Sequence, residues 1–96
     1  MNDPAIMSAT SINRELDRLD KVQRKIVDHM IRRGRGDETH AQTRDRFARG
    51  ERDTLTVWFV ETGDRKTALY REVARRAGPR MTRLPRGFGP RKDGRT

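Results

Sequence analysis

The sequence predicts a mainly α-helical fold: a long N-terminal amphipathic helix, two or three shorter helices and an irregular basic C-terminal tail. Three observations favour this fold class. Apolar residues recur at helical spacings in the longest periodic segment, residues 11–33. Capping residues and glycines bound the segments that follow it. Only residues 53–62 are rich in β-branched and aromatic side chains, and the chain offers them no second strand.

Length and composition limit the chain to one small domain. It has 96 residues, of which 31% are hydrophobic and 39% are charged. A chain of this size buries only about 60–65% of its unfolded surface, so we expect a second copy, a larger protein or nucleic acid to stabilise it. The predicted organisation is a flexible leader at residues 1–10, a helical domain at 11–78 and a basic Gly/Pro/Arg tail at 79–96.

Residues 11–33 form the clearest predicted helix, with Thr10 or Ser11 as its N-cap and Gly34 just past its end. Its apolar residues recur at spacings of three, four and seven, as in a coiled-coil seam. The stripe can pack on the chain's own domain, or it can pair with a second copy. The predicted interface residues are Ile12, Leu16, Leu19, Ile26, Met30, Trp58 and Phe59.

A short helix is predicted at residues 39–49. Asp37 or Thr39 can cap its start, and Gly50 can end it. Few apolar side chains are available for this helix to bury: Ala41, Phe47 and Ala48.

Residues 53–62, DTLTVWFVET, are the most apolar stretch, and two interpretations compete. Asp53 can cap a helix and Gly63 can end one, whereas the side chains of residues 54–60 favour a strand. We favour the helix, because a lone strand leaves its backbone donors unpaired unless another chain completes a sheet. The core or self-association surface is then expected to include Leu55, Val57, Trp58, Phe59, Val60, Leu69 and Val73.

The last helix is predicted at residues 64–77, with Asp64 as its cap and Gly78-Pro79 at its end. Two Pro and three Gly from residue 85 onward exclude a regular helix in the tail. The tail is therefore expected to be irregular.

Positive charge is concentrated at the C-terminus. The net charge of the chain is +9, with +1 in residues 1–38, +3 in residues 39–78 and +5 in residues 79–96. Nineteen of the 23 basic residues are Arg, whose planar array of donors suits phosphate or carboxylate.

Nucleic-acid binding is the first function that this charge pattern predicts. A basic helix that continues into a basic flexible tail can follow phosphates and release counterions. Phe88 can stack on an unpaired base. The partner can be DNA, RNA or a nucleoprotein assembly. The predicted nucleic-acid-binding residues are Lys66, Arg71, Arg75, Arg76, Arg80, Arg83, Arg86, Phe88, Arg91, Lys92 and Arg95.

Protein binding is the alternative. The chain would then be a phage- or plasmid-type accessory or inhibitor, or an assembly subunit, acting through the apolar residues 55–60 and the N-terminal helix. Its partner would be an acidic protein surface or further copies of itself. This alternative depends on the thin core and on the heptad spacing of the first helix.

Enzyme chemistry is not indicated. The chain has no Cys, no phosphate-binding glycine loop and no Ser/His/Asp set, and its two His, His29 and His40, stand apart. We therefore predict no catalytic residues, no cofactor and no metal. The chain has no apolar run of about 18 residues and no secretory signal pattern, so we expect no membrane partner and a cytoplasmic location.

Overall fold

The computed structural model describes residues 2–88, and its fold is mainly helical. A 3-10 helix at Pro4–Ile6 precedes three α-helices: α1 at Ala9–Arg32, α2 at His40–Ala48 and α3 at Thr54–Ala77. No strand occurs among residues 2–88, so the helical interpretation of residues 54–60 is confirmed.

The chain divides into two compact units. The terminal unit comprises residues 1–18 and 66–96, and the central unit comprises residues 19–65. Helices α1 and α3 each contribute residues to both units. No helix in the part of the chain that the structure describes is long and apolar enough to cross a membrane.

The N-terminal segment differs from the predicted leader. A 3-10 helix occupies Pro4–Ile6, and Met7 is buried. Helix α1 also starts earlier than predicted, because the Ser8 hydroxyl accepts a hydrogen bond from the backbone N–H of Ser11. The capping residue is therefore Ser8, not Thr10 or Ser11.

Helix α2 begins and ends as predicted. Thr39 is its N-cap, and the side chains of Thr39 and Gln42 each accept a hydrogen bond from the other's backbone N–H. Gly50 follows the helix with φ +93°, a conformation that glycine adopts without a steric penalty.

The face that α2 buries is more polar than expected. Ala41 and Ala48 are exposed, and Phe47 is only half-buried. The buried residue of this helix is Thr43, which is 1% exposed and whose hydroxyl donates to Glu38 at 2.6 Å. The helix therefore packs partly through a satisfied hydroxyl group.

Helix α3 continues through the position where we predicted a break. Asp53 caps it as predicted, accepting a hydrogen bond from the backbone N–H of Thr56 at 2.9 Å. Gly63 does not end a helix, however, and Asp64 does not start one. A Cβ atom at Gly63 would lie 2.7 Å from Nη2 of Arg44, which pairs with Asp64 at 3.0 Å. Gly63 thus makes room for a guanidinium group.

Each unit has its own apolar core. The fully buried apolar residues of the terminal unit are Ile12, Leu16, Leu69 and Val73. The central cluster consists of Ile26, Met30, Leu55, Phe59 and Val60, with Val22, Val27 and Phe47 packed against it. The apolar stripe of α1 therefore supplies core residues to both units.

Candidate nucleic-acid interface

Most of the excess positive charge belongs to the terminal unit. Its two segments, residues 1–18 and 66–96, carry twelve Lys/Arg and five Asp/Glu, a net charge of +7. The central unit carries eleven Lys/Arg and nine Asp/Glu, a net charge of +2. Most of the basic residues in the terminal unit therefore cannot be neutralised within it.

The predicted basic residues on α3 lie in different environments. Arg71 is exposed, whereas Lys66 is half-buried, with its Nζ atom 6.0 Å from the centroid of the Tyr70 ring. Arg75 has a side chain that is 45% exposed and forms an ion pair with Glu72. Arg71 therefore presents its charge to solvent, whereas the charge of Arg75 is paired with Glu72.

Arg76 is buried. Its side chain is 4% exposed and its guanidinium contacts the carboxylate of Glu72. It also donates to the backbone carbonyl oxygens of Pro4 at 2.9 Å, Ala5 at 3.2 Å and Phe88 at 3.1 Å. The N-terminal segment, α3 and the tail thus meet at this one cation, which is not available to a phosphate in this structure.

The carboxylate beside Arg76 is held in its ionised form. Hydrogen bonding from Arg75, and secondly from Arg76, lowers the pKa of Glu72 below its ordinary value. Burial of Glu72 acts in the opposite direction and is outweighed. Glu72 therefore acts as the counter-ion that keeps a buried arginine in place.

The first part of the tail lies on the helices of its own unit. Leu84 is 4% exposed, and its backbone N–H and C=O both bond to the side-chain amide of Asn13, at 2.8 and 2.9 Å. Arg83 pairs with Asp17 at 3.0 Å. This segment is therefore docked within the chain, and Arg83 is engaged there.

The remaining predicted residues of the tail fall into two groups. Arg80 and Arg86 are exposed, and Phe88 is 40% exposed. Three further predicted binding residues lie outside the described residues: Arg91, Lys92 and Arg95.

The predicted protein-interface residues are mostly buried inside the chain. Six of the seven are at most 5% exposed: Ile12, Leu16, Leu19, Ile26, Met30 and Phe59. Self-association through this seam stays a prediction, and it would require the seam to leave its own core. Trp58 differs from them, since it is 52% exposed.

One set of exposed basic residues was missed in the sequence analysis. It lies on α1, where Arg14 and Arg18 belong to the terminal unit and Lys21 and Lys25 to the central unit. The signal was present in the sequence, because these four residues recur at spacings of four, three and four.

The surface of the central unit includes an open groove lined by acidic, basic and amide side chains. Its lining residues are Asp20, Gln23, Arg24, Val27, Asp28 and His40. Within residues 2–88, no three His, Cys, Asp or Glu side chains are grouped closely enough to hold a metal ion.

Comparison with known proteins gives no relative for this chain. No protein-family model matches it, and neither does any curated protein or solved structure. The site is therefore interpreted from its own charge and geometry.

Proposed function

We propose that the chain binds nucleic acid, DNA or RNA, through the exposed basic surface of the terminal unit. The observation that carries this proposal is the uncompensated charge of that unit, twelve basic residues against five acidic ones. Among the described residues of the predicted set, Arg71, Arg80 and Arg86 are exposed, and Arg75 is exposed but paired with Glu72. A surface of this kind attracts a polyanion and exchanges condensed counterions for guanidinium contacts.

The contacts expected are with the backbone, not with base edges. Arg76 and Arg83 are engaged inside the unit, so they hold the shape of the surface and do not contact phosphates. Phe88, 40% exposed at the end of the described tail, is available to stack on an unpaired base. The proposed binding is therefore sensitive to salt and tolerant of sequence. A cytoplasmic location belongs to the same proposal.

The test is a salt titration of binding to labelled duplex DNA of about 20 base pairs, followed by single-stranded RNA. The double variant Arg71→Gln/Arg80→Gln removes two exposed charges from the terminal unit. Each lost phosphate contact should make the log–log salt slope for duplex DNA shallower by about 0.9. The slope of the double variant should therefore be shallower by about 1.8 than that of the unaltered chain.

The matched control is Arg49→Gln/Arg52→Gln, which removes the same charge from the segment after α2 in the central unit. It should keep the slope of the unaltered chain. Failure of the unaltered chain to bind either nucleic acid at about 50 mM salt would refute the proposal.

A protein-binding role is the second candidate, and the exposure of Trp58 favours it. An aromatic side chain that is 52% exposed is a common anchor in protein interfaces. The chain would then be an accessory or inhibitor of the phage or plasmid type, or an assembly subunit. Binding through Trp58 should change little with salt, and Trp58→Ala should abolish it without changing the fold.

A further inference from the structure

The exposed side of α1 in the central unit carries basic residues that the proposed function does not use. Lys21, Lys25 and Arg32 are exposed and follow one another at spacings of four and seven, so they share one face of the helix. The buried stripe that contains Ile26 lies on the opposite side. We define the basic face as these three residues and their two exposed basic neighbours: Lys21, Arg24, Lys25, Arg32 and Arg33.

The basic face differs from four arginines of the central unit in how its charge is compensated. Arg35, Arg44, Arg46 and Arg49 each form an ion pair with one carboxylate. No ion pair joins any residue of the basic face to another residue in the range 2–88. Four carboxylates of this unit are therefore engaged by other arginines, and the charge of the basic face is not neutralised by ion pairs among residues 2–88.

Part of this arrangement is unfavourable to the helix. Lys21 and Lys25 are like charges four residues apart, a spacing that disfavours a helix. Asp28 and His29 are also exposed on this side, and Asp28 offsets part of the positive charge. A bound anion would relieve the remaining repulsion between the two lysines.

The extent of the basic face indicates the kind of anion. At about 1.5 Å per residue, the eleven steps from Lys21 to Arg32 span about 16 Å along the helix axis. A nucleic-acid strand rises about 3.4 Å per phosphate, so about five phosphates cover this length. A small anion can bridge neighbouring cations such as Lys21 and Lys25, but it cannot reach from Lys21 to Arg32.

The side chains around the basic face favour nucleic acid over an acidic protein. A stable protein interface is centred on apolar or aromatic anchors. The exposed large apolar side chain nearest in sequence is Ile31, about 100° around the helix from Arg32. The basic face therefore presents charge with no apolar anchor at its centre.

We propose that the basic face is a second contact surface for the phosphate backbone of a nucleic acid. This inference rests on the proposed function and extends it from the terminal unit to α1. It assigns the binding role to residues outside the C-terminal third of the chain. Because the contacts are to phosphates, they add affinity and salt dependence but no base preference.

The test uses the full chain, the same duplex of about 20 base pairs and the variant Lys21→Gln/Lys25→Gln. Glutamine preserves helix propensity, and the exposed positions make unfolding a minor concern, which circular dichroism checks. We expect a salt slope shallower by about 1.8 and correspondingly weaker binding at about 100 mM salt. The charge-matched control Arg49→Gln/Arg52→Gln should show neither change.

The outcomes separate this inference from the proposed function. One outcome is that the lysine variant keeps the salt slope of the unaltered chain while Arg71→Gln/Arg80→Gln has a shallower one. In that case the basic face does not contact the nucleic acid, and the proposed function stands. An equal loss in the lysine variant and in the control would show only an effect of net charge, and would overturn the inference. The inference would also be overturned if Lys21 and Lys25 were required for binding of polyglutamate and not for binding of DNA. If the unaltered chain binds no nucleic acid, both fail.

Discussion

Among residues 2–88, arginines of the central unit pair one to one with carboxylates, whereas in the terminal unit Glu72 and Asp17 hold three arginines between them. The central pairs are Arg35–Asp53, Arg44–Asp64, Arg46–Glu38 and Arg49–Glu51. The terminal arginines held in this way are Arg75, Arg76 and Arg83.

The difference shows two uses of the same side chain. In the central unit, paired arginines join the short helix α2 and its flanking loops, because α2 has few apolar side chains to bury. In the terminal unit, one buried arginine holds three segments together, while others remain in solvent. Counting basic residues alone therefore overstates the surface that is available to a polyanion.

The largest effect is expected from Arg76→Ala. The substitution removes one of the two arginines that neutralise the buried carboxylate of Glu72, and it releases three backbone carbonyl groups. Removing one partner of a buried ion pair costs about 3–5 kcal/mol of the free energy of unfolding, and we expect the lower end because Arg75 stays beside Glu72. Urea denaturation monitored by circular dichroism measures it.

The control for Arg76→Ala is Arg75→Ala, which removes the more exposed partner of the same carboxylate. It should destabilise the chain much less. Equal losses for the two variants would mean that Arg76 is no more structural than its exposed neighbour, and the contrast between the units would disappear.

Leu84→Ala is expected to have the next largest effect. Leu84 is the buried apolar residue of the docked tail, and a buried Leu→Ala change costs about 2–4 kcal/mol. Met81→Ala, at a side chain that is 40% exposed, should change the free energy of unfolding by less than about 0.5 kcal/mol. Denaturation curves of both variants give the comparison.

Hydrogen exchange provides an independent reading of tail docking. The amide N–H of Leu84 donates to the side chain of Asn13, so it should be protected in the unaltered chain and lose protection in Asn13→Ala. Rapid exchange at Leu84 in the unaltered chain would show that the tail does not dock as described.

Local signals were sufficient to predict most of the helices. Thr39 and Asp53 cap helices where their side chains predicted it, and Gly50 and Gly78 follow helix ends with positive φ. These features depend on residues within one turn of each other, which is why a single sequence contains them.

The features that local signals did not reveal share a different cause. Gly63 looked like a helix end, but its role is set by Arg44, nineteen residues away. Trp58 and Phe59 are neighbours in sequence, yet a helix turns about 100° per residue, so one is exposed and the other buried. Likewise Arg76 is buried because of carbonyl groups on a segment 71 and 72 residues away. Composition could not distinguish it from Arg75.

Acid should weaken both units, and the central unit more strongly. Hydrogen bonding from Arg35, then Thr56, lowers the pKa of Asp53, and hydrogen bonding from Arg46, then Thr43, lowers that of Glu38. Because the unfolded chain then binds more protons than the folded chain, these hydrogen bonds stabilise the fold fully above about pH 4, the carboxyl pKa in the unfolded chain. This stabilisation is lost as the pH falls through the lower pKa values of the folded chain.

The pH effect is measured by urea titrations at about pH 7 and about pH 3. Asp53→Asn should lower the free energy of unfolding at the higher pH. It should therefore reduce the difference between the free energies of unfolding at the two pH values. Asp28→Asn, at an exposed position on α1, serves as the control and should leave the difference unchanged. If the two variants behave alike, the ion pair with Arg35 is not a source of the acid sensitivity.

The smallest effect, and the sharpest test of how the central unit uses arginine, concerns Gly63. In a helix interior, Gly→Ala stabilises by about 0.5–1 kcal/mol. The new Cβ would lie 2.7 Å from Nη2 of Arg44, so the flexible guanidinium must move and give up its exposed pair with Asp64, worth about 0–1 kcal/mol. We therefore expect Gly63→Ala to be near neutral in the unaltered chain and to give the full gain in an Arg44→Ala background. A double-mutant cycle on the free energy of unfolding measures this coupling. Equal effects in the two backgrounds would show that the guanidinium does not require the glycine.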